Sequence, residues 1–425
     1  MKTVTFKCLE NIRSIFDNHK ADEIETLLID QIGRYAEKDW INESAHSPDA
    51  VKAYDNFSPM VWQEFKNLKH LSISIEFSCL SILSYLPKLE TLNIKIIFHT
   101  SFLSKFKKII LPNLKHLNID FVSNDTPINI ITILEDIMPP VEITKNLTSF
   151  SLKSTRNYNI EPILIRDLKF LKNAVNLRTL SLTECNLKNW KILSVCKNLI
   201  SLDLRDVRAA EGETALPLLP KLENLSLTNI IQAQQIISNT PPLLSVTSLK
   251  IFNAYLGKTI NLNSINSIFP NLKIFSCSAY NIKSFSSLPL MAKLESVDVI
   301  GATYTNDPGN SIFIDLKDLV KQPKLSSINF NIYGFKDWIG WGNYMSTLFT
   351  LANLNLTKNI SITSNDKTFD KHLERLINSR KTVGFYNAVS YGISKGIDVT
   401  KNKAIDGFRS GVDKSKKIIR SCTIQ

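Results

Sequence analysis

The sequence predicts an α/β solenoid: short parallel strands on a concave face, helices and irregular turns on the convex face, and a helical C-terminal tail. Three observations predict it. Apolar residues at positions 1, 4 and 6 of a short stretch recur eleven times, from "LKHLSI" to "LSSINF", starting at Leu68, Leu89, Leu114, Leu147, Leu177, Leu199, Leu222, Val246, Leu272, Leu294 and Leu325. The intervals are 21, 25, 33, 30, 22, 23, 24, 26, 22 and 31 residues, mostly the length of one strand plus its return. The 44% hydrophobic content, with 13 glycines and 16 prolines in 425 residues, is that of a globular chain with enough apolar surface for a core.

The elements follow in order. Residues 1–67 read as an N-terminal helical cap and insertion. "MKTVTFKCLENIRSIFDNHK" is expected to be an amphipathic helix with Phe6, Leu9, Ile12 and Phe16 on one face, and its scattered charges exclude a secretory signal. Ile24, Leu27 and Ile29 lie two periods before Leu68 and fit a first repeat strand. Residues 68–335 form the repeat array. Each L-x-L core is a strand with its leucines inward and the residue between them outward. One such unit cannot bury its apolar face alone, whereas stacked units share a continuous core. Helices are expected in the returns at 126–138, 160–173 and 314–322, which account for the longest intervals. Residues 336–365 read as a C-terminal cap and 366–425 as a basic amphipathic tail, whose first helix (366–381) carries Phe369, Leu373, Leu376 and Ile377 on one face.

This register resembles the leucine-rich-repeat family over roughly residues 20–335. Leu177, Leu180, Leu182, Cys185 and Leu187 give the fullest match to the family pattern L-x-x-L-x-L-x-x-N/C-x-L. Elsewhere the asparagine/cysteine position holds Ile97, Val122, Val207, Ile230 or Ala254, so the ladder that ties turns together in the family is expected to be mostly missing. The resemblance implies a protein-binding role for the concave face.

The outward row runs Ser72, Asn93, Asn118, Ser151, Ser181, Asp203, Ser226, Lys250, Ser276, Asp298 and Asn329. It is small, polar and almost uncharged. Ser181, Asp203, Ser226, Lys250 and Asp298 are the candidate partner-binding residues, the three charges being suited to setting a partner's orientation. Nucleic acid is disfavoured, because the row has no basic stripe to neutralise phosphates. The net charge of +12 belongs mainly to the tail: residues 366–421 hold 13 Lys/Arg and 6 Asp/Glu, leaving +5 for the rest.

Catalytic constellations, cofactor motifs and zinc-ligand spacings are not found. His70 and His116 occupy equivalent positions two strands apart, too far to share a metal ion, and the six cysteines show no disulfide framework. The chain is therefore expected to be a non-enzymatic monomer without a metal or cofactor.

The sequence ends in "DKSKKIIRSCTIQ". Cys422, Thr423, Ile424 and Gln425 match a Cys-a-a-X prenylation box, with Cys422 as the lipidated thiol and Gln425 favouring farnesyl. Lys414, Lys416, Lys417 and Arg420 supply the basic cluster that a single prenyl chain needs as a second membrane signal. The expected location is thus the cytosolic face of a eukaryotic membrane with anionic lipid. Irregular repeats, Lys/Asn/Ile-rich composition and a host-style lipidation box together resemble secreted effectors of intracellular bacteria, which would place that membrane in a host cell. The alternatives are a ubiquitin-ligase substrate adaptor docking through residues 30–67, or an enzyme whose site is built from repeat insertions.

Overall fold

The computed structural model describes residues 2–6, 15–29, 59–98, 109–123, 144–156, 163–165, 169–187, 190–209, 215–228, 233–252, 262–278, 285, 288–304, 316, 319, 321–335 and 341–383. They fall into two compact units, one running to Thr247 and including Ser267–Phe269, the other made of the remaining residues from Ser248 onward.

The strands of the first unit are β1 (Lys2–Phe6), β2 (Ile24–Ile29), β3 (His70–Glu76), β4 (Thr91–Phe98), β5 (His116–Ser123), β6 (Ser149–Arg156), β7 (Ile163–Ile165), β8 (Thr179–Thr183), β9 (Cys185–Leu187), β10 (Ser201–Arg205), β11 (Arg208–Ala209) and β12 (Asn224–Thr228). Nine of them form a parallel sheet in the order β1-β2-β3-β4-β5-β6-β8-β10-β12, and β7, β9 and β11 form a small second one. Chain order and sheet order coincide, as stacking of successive repeats requires. In β8, Leu180 and Leu182 are fully buried while Ser181 between them is not, and β10 repeats this with Leu202, Asp203 and Leu204. The two-residue alternation of the strand thus sorts leucine to the core and polar residues to the open face.

A tight turn precedes the strands. The Leu89 amide donates to the Leu86 carbonyl, Leu114 to Leu111 and Leu222 to Leu219, each at 3.2 Å. Pro87, Pro112 and Pro220 hold the second turn position, where a fixed φ suits this geometry.

The second unit stacks β13 (Ser248–Phe252), β14 (Ile274–Ser278), β15 (Ser296–Tyr304), β16 (Ser327–Phe335) and β17 (Ser361–Ser364), again parallel and in chain order. An 18-residue helix, Trp341–Lys358, connects β16 to β17. The helix Lys367–Val383 follows, capped by Asp366, whose carboxylate accepts from the Thr368 amide at 2.7 Å and the Phe369 amide at 3.1 Å. Phe369 and Leu373 are buried on the face that the spacing predicts, with Leu376 and Ile377 half-buried, and the Phe369 ring stacks on Phe330 at 5.7 Å. This helix therefore packs on the last repeat strands.

Four local expectations are corrected or reach beyond the described residues. Residues 2–6 are a strand rather than a helix: β1 pairs in parallel with β2, and the alternation Thr3-Val4-Thr5 suits a half-buried strand, with Val4 inward. The 160–173 stretch is not helical throughout: among its described residues Ile163–Ile165 pairs with Cys185–Leu187, and Lys169–Asn173 turns as a 3-10 helix. The 126–138 helix lies outside the described residues, and of 314–322 only Leu316, Leu319, Lys321 and Gln322 are described. The expected first strand at Ile24, Leu27 and Ile29 is β2, with all three side chains fully buried.

Candidate partner-binding face

Strand register places the outward residues in straight rows. In the first unit Ser72 lies beside Asn93, then Asn118, Ser151, Ser181, Asp203 and Ser226, each on the next strand. Neighbouring strands in a sheet are about 4.8 Å apart, so these side chains form one continuous polar strip. In the second unit Lys250, Ser276, Asp298, Asn329 and Thr363 are aligned likewise. The five candidate residues thus occupy two rows: Ser181, Asp203 and Ser226 are neighbours in one, Lys250 and Asp298 are separated by Ser276 in the other.

The two rows differ chemically. Asp298 is tied on both sides: Ser276 Oγ donates to its Oδ2 and Asn329 Nδ2 to its Oδ1, each at 2.6 Å, and Thr363 Oγ1 donates in turn to Asn329 Oδ1. Asp203 Oδ1 is buried and has no hydrogen-bond partner among the described residues.

Beside these rows, where the strands begin, a groove of about 480 Å³ is lined by residues that include Glu90, Asn113, Lys115, Asn146, Thr148 and Arg178. Lys115 Nζ donates to Glu90 at 2.7 Å, and this hydrogen bond holds the Glu90 carboxyl below its ordinary value. Asparagine side chains bridge successive repeats here. Asn113 Nδ2 donates to the Pro87 carbonyl at 2.9 Å, Asn146 to Pro112 at 2.7 Å, Asn176 to Lys145 at 2.9 Å and Asn198 to Val175 at 2.8 Å. An asparagine ladder therefore exists in the first unit, at a position other than the family's asparagine/cysteine row. It stands one residue before the first leucine of four repeats, at Leu114, Leu147, Leu177 and Leu199, instead of after the strand. The signal was in the sequence, as the recurrent "NL" that opens "NLKHLNI", "NLTSFSL", "NLRTLSL" and "NLISLDL".

His70 and His116 are separated by Thr91 on the strand between them. Among the described residues no group of three or more His, Cys, Asp or Glu could hold a metal ion. Cys185, Cys196 and Cys277 are free and buried. Burial pushes the Cys196 thiol up to about 12 and raises that of Cys277 further, so neither is poised as a nucleophile. Lys414, Lys416, Lys417, Arg420 and the box Cys422 to Gln425 all lie outside the described residues. Among those described, no helix is long and apolar enough to cross a membrane.

No family model matches the chain, and no curated protein does. Among solved structures the chain is similar to an internalin from Listeria monocytogenes, at 15% identity over 79% of this chain and 86% of that one, with a TM-score of 0.41. It is also similar to internalin C2 of Listeria monocytogenes, at 14% identity over 46% and 84% of the two chains with a TM-score of 0.26. A TLR13–ssRNA13 complex matches at 14% identity over 79% and 56%, with a TM-score of 0.28. The parallel strands in chain order and their buried leucines make the fold a leucine-rich-repeat solenoid.

Proposed function

We propose that the chain is a non-enzymatic scaffold whose polar sheet face binds a protein partner. The reading further holds that prenylation of Cys422 tethers it to the cytosolic face of a eukaryotic membrane, where it acts as a secreted bacterial effector in a host cell. One observation carries the binding reading: Ser72 through Ser226 form an unbroken row of seven small polar side chains on one open face. Such a row lets a partner backbone approach closely and meets it with hydroxyl and amide groups.

The anchor rests on the residues Cys422-Thr423-Ile424-Gln425 and on the preceding Lys414, Lys416, Lys417 and Arg420, and it requires Gln425 to be the natural terminus. One prenyl chain binds membranes only marginally, and each basic residue near an anionic surface adds about 1 kcal/mol. The effector assignment rests on the combination of irregular repeats with a host-style lipidation box.

Two measurements test this. Replacing Ser181, Asp203 and Ser226 together with Arg is expected to abolish capture of the partner from cytosol while leaving the circular dichroism spectrum unchanged. Capture that survives in the folded variant places the interface elsewhere. For the anchor, mass spectrometry of the C-terminal peptide from eukaryotic cells, with and without a farnesyltransferase inhibitor, is expected to find an inhibitor-sensitive lipid on Cys422. An unmodified Cys422, or unchanged localisation of Cys422→Ser, removes it.

A further inference from the structure

Asp203 and Asp298 hold the same position on two strands, between the two buried apolar residues of each. Their surroundings differ. Both oxygens of Asp298 accept hydrogen bonds from the neighbouring strands, so its charge is spent inside the sheet. Asp203 also has a serine on either side, Ser181 and Ser226. Neither donates to its buried Oδ1, and Ser226 Oγ faces Thr228 Oγ1 at 3.5 Å instead. A carboxylate oxygen withdrawn from water without a donor is costly, and such a group calls for an explanation.

The charges around it point the same way. Over the earlier strands of this unit they are paired: Lys69 with Glu25 at 3.3 Å, Lys115 with Glu90 at 2.7 Å and Lys153 with Asp120 at 3.8 Å. Over β8, β10 and β12 the pairing stops. Arg178, Asp203, Arg205 and Glu223 have no ionic partner among the described residues. Arg205 lies two residues beyond Asp203 on the same face, yet the two do not pair.

We propose that Asp203 is the recognition carboxylate of this face, taking a lysine or arginine of a protein partner that carries an acidic residue beside it for Arg205. The inference rests on the reading of the sheet face as a protein-binding surface and names the chemistry of its partner. The partner's cation meets the carboxylate at Oδ2, since Oδ1 is withdrawn from the surface, and its charge offsets the donor that Ser181 and Ser226 do not give. Asp298, by contrast, is a tie between strands and takes no part in recognition.

The test uses the full chain, immobilised and panned against a displayed library of random short peptides. The selected peptides are expected to carry Lys or Arg at one fixed position with Asp or Glu beside it. Asp203→Asn is expected to bind them about tenfold more weakly or worse, while Asp298→Asn binds them unchanged and unfolds at lower denaturant. Asp203→Lys is expected to restore binding to peptides whose basic residue is changed to Glu. Peptides without a basic preference overturn the inference, and so does equal binding by Asp203→Asn. If hydrogen exchange then still maps those peptides to β8, β10 and β12, the binding face stands and only its partner chemistry is wrong. Peptides that protect other surfaces, or the absence of any selected peptide, overturn the binding face itself.

Discussion

Leu202 offers the sharpest test of how the stack is held. It is fully buried, and strand register sets it between Leu180 and Leu225, themselves buried, so its side chain is shared by three repeats. Truncation to alanine removes three carbons from a position flanked on both sides by leucines of fixed spacing. Leucine-to-alanine changes at such sites cost about 2–5 kcal/mol, the upper part where the surroundings cannot collapse. Here collapse is resisted, because moving either neighbour breaks a parallel ladder. Leu202→Asp adds the desolvation of a charge without a partner, costing several kcal/mol more. Whole domains are stable by only about 5–15 kcal/mol, so the alanine variant should fold with a lowered guanidinium midpoint and the aspartate variant should lose β10 outright. Each repeat buries its leucines only against its neighbours, so the loss should spread to β8 and β12. Hydrogen exchange by mass spectrometry reads this strand by strand. Loss of protection confined to Ser201–Arg205, with Thr179–Thr183 and Asn224–Thr228 unchanged, would falsify the shared-core argument.

Further outcomes follow from the ties and titratable groups. Asn146→Ala should lower stability by about 0.5–1.5 kcal/mol, the net worth of one hydrogen bond, and an unmoved denaturation midpoint would show the asparagine ladder to be idle. Cys196 and Cys277 should resist iodoacetamide in the native protein at pH 8 and react on unfolding, since burial raises both thiols; rapid native labelling would contradict the packing. His372 on the last described helix is held below its ordinary value near 6.5, by burial first and by Arg375 second. A depressed histidine contributes stability above that ordinary value and loses it as pH falls through the folded value. Amide protection of Lys367–Val383 should therefore weaken on acidification, and His372→Gln should flatten the dependence.

Much of the fold was legible because leucine spacing is a direct record of burial. The eleven apolar starts predict the strands, and the outward residues are aligned by register within each unit, from Ser72 to Ser226 in the first and from Lys250 to Asn329 in the second. The misreadings have local causes. Thr3, Val4 and Thr5 are too few to separate a strand from a helix by periodicity, and the parallel partner at Ile24–Ile29 decides the matter. Ile163–Ile165 sits in a segment with helical spacing, but its backbone finds a ladder on Cys185–Leu187. β17, "SITS", alternates exposed and half-buried residues and has Ile362 as its one apolar residue; it is a strand because Phe330 and its neighbours offer an edge to pair with. At the candidate site, the positions of Asp203 and Asp298 were readable and their difference was not. Two aspartates in the same motif context look alike until the donors on the adjacent strands are placed.

The asparagine ties have a bearing on how such a chain can change. Asn198 reaches back 23 residues to Val175, and Asn146 reaches back 34 residues to Pro112, yet both make the same bond at the same place in the repeat. The tie counts repeats and is indifferent to the number of residues between them. Insertions can therefore accumulate in the returns of the first unit without shifting any residue of the polar row. A lineage is free to lengthen or shorten those segments while the recognition strip keeps its spacing.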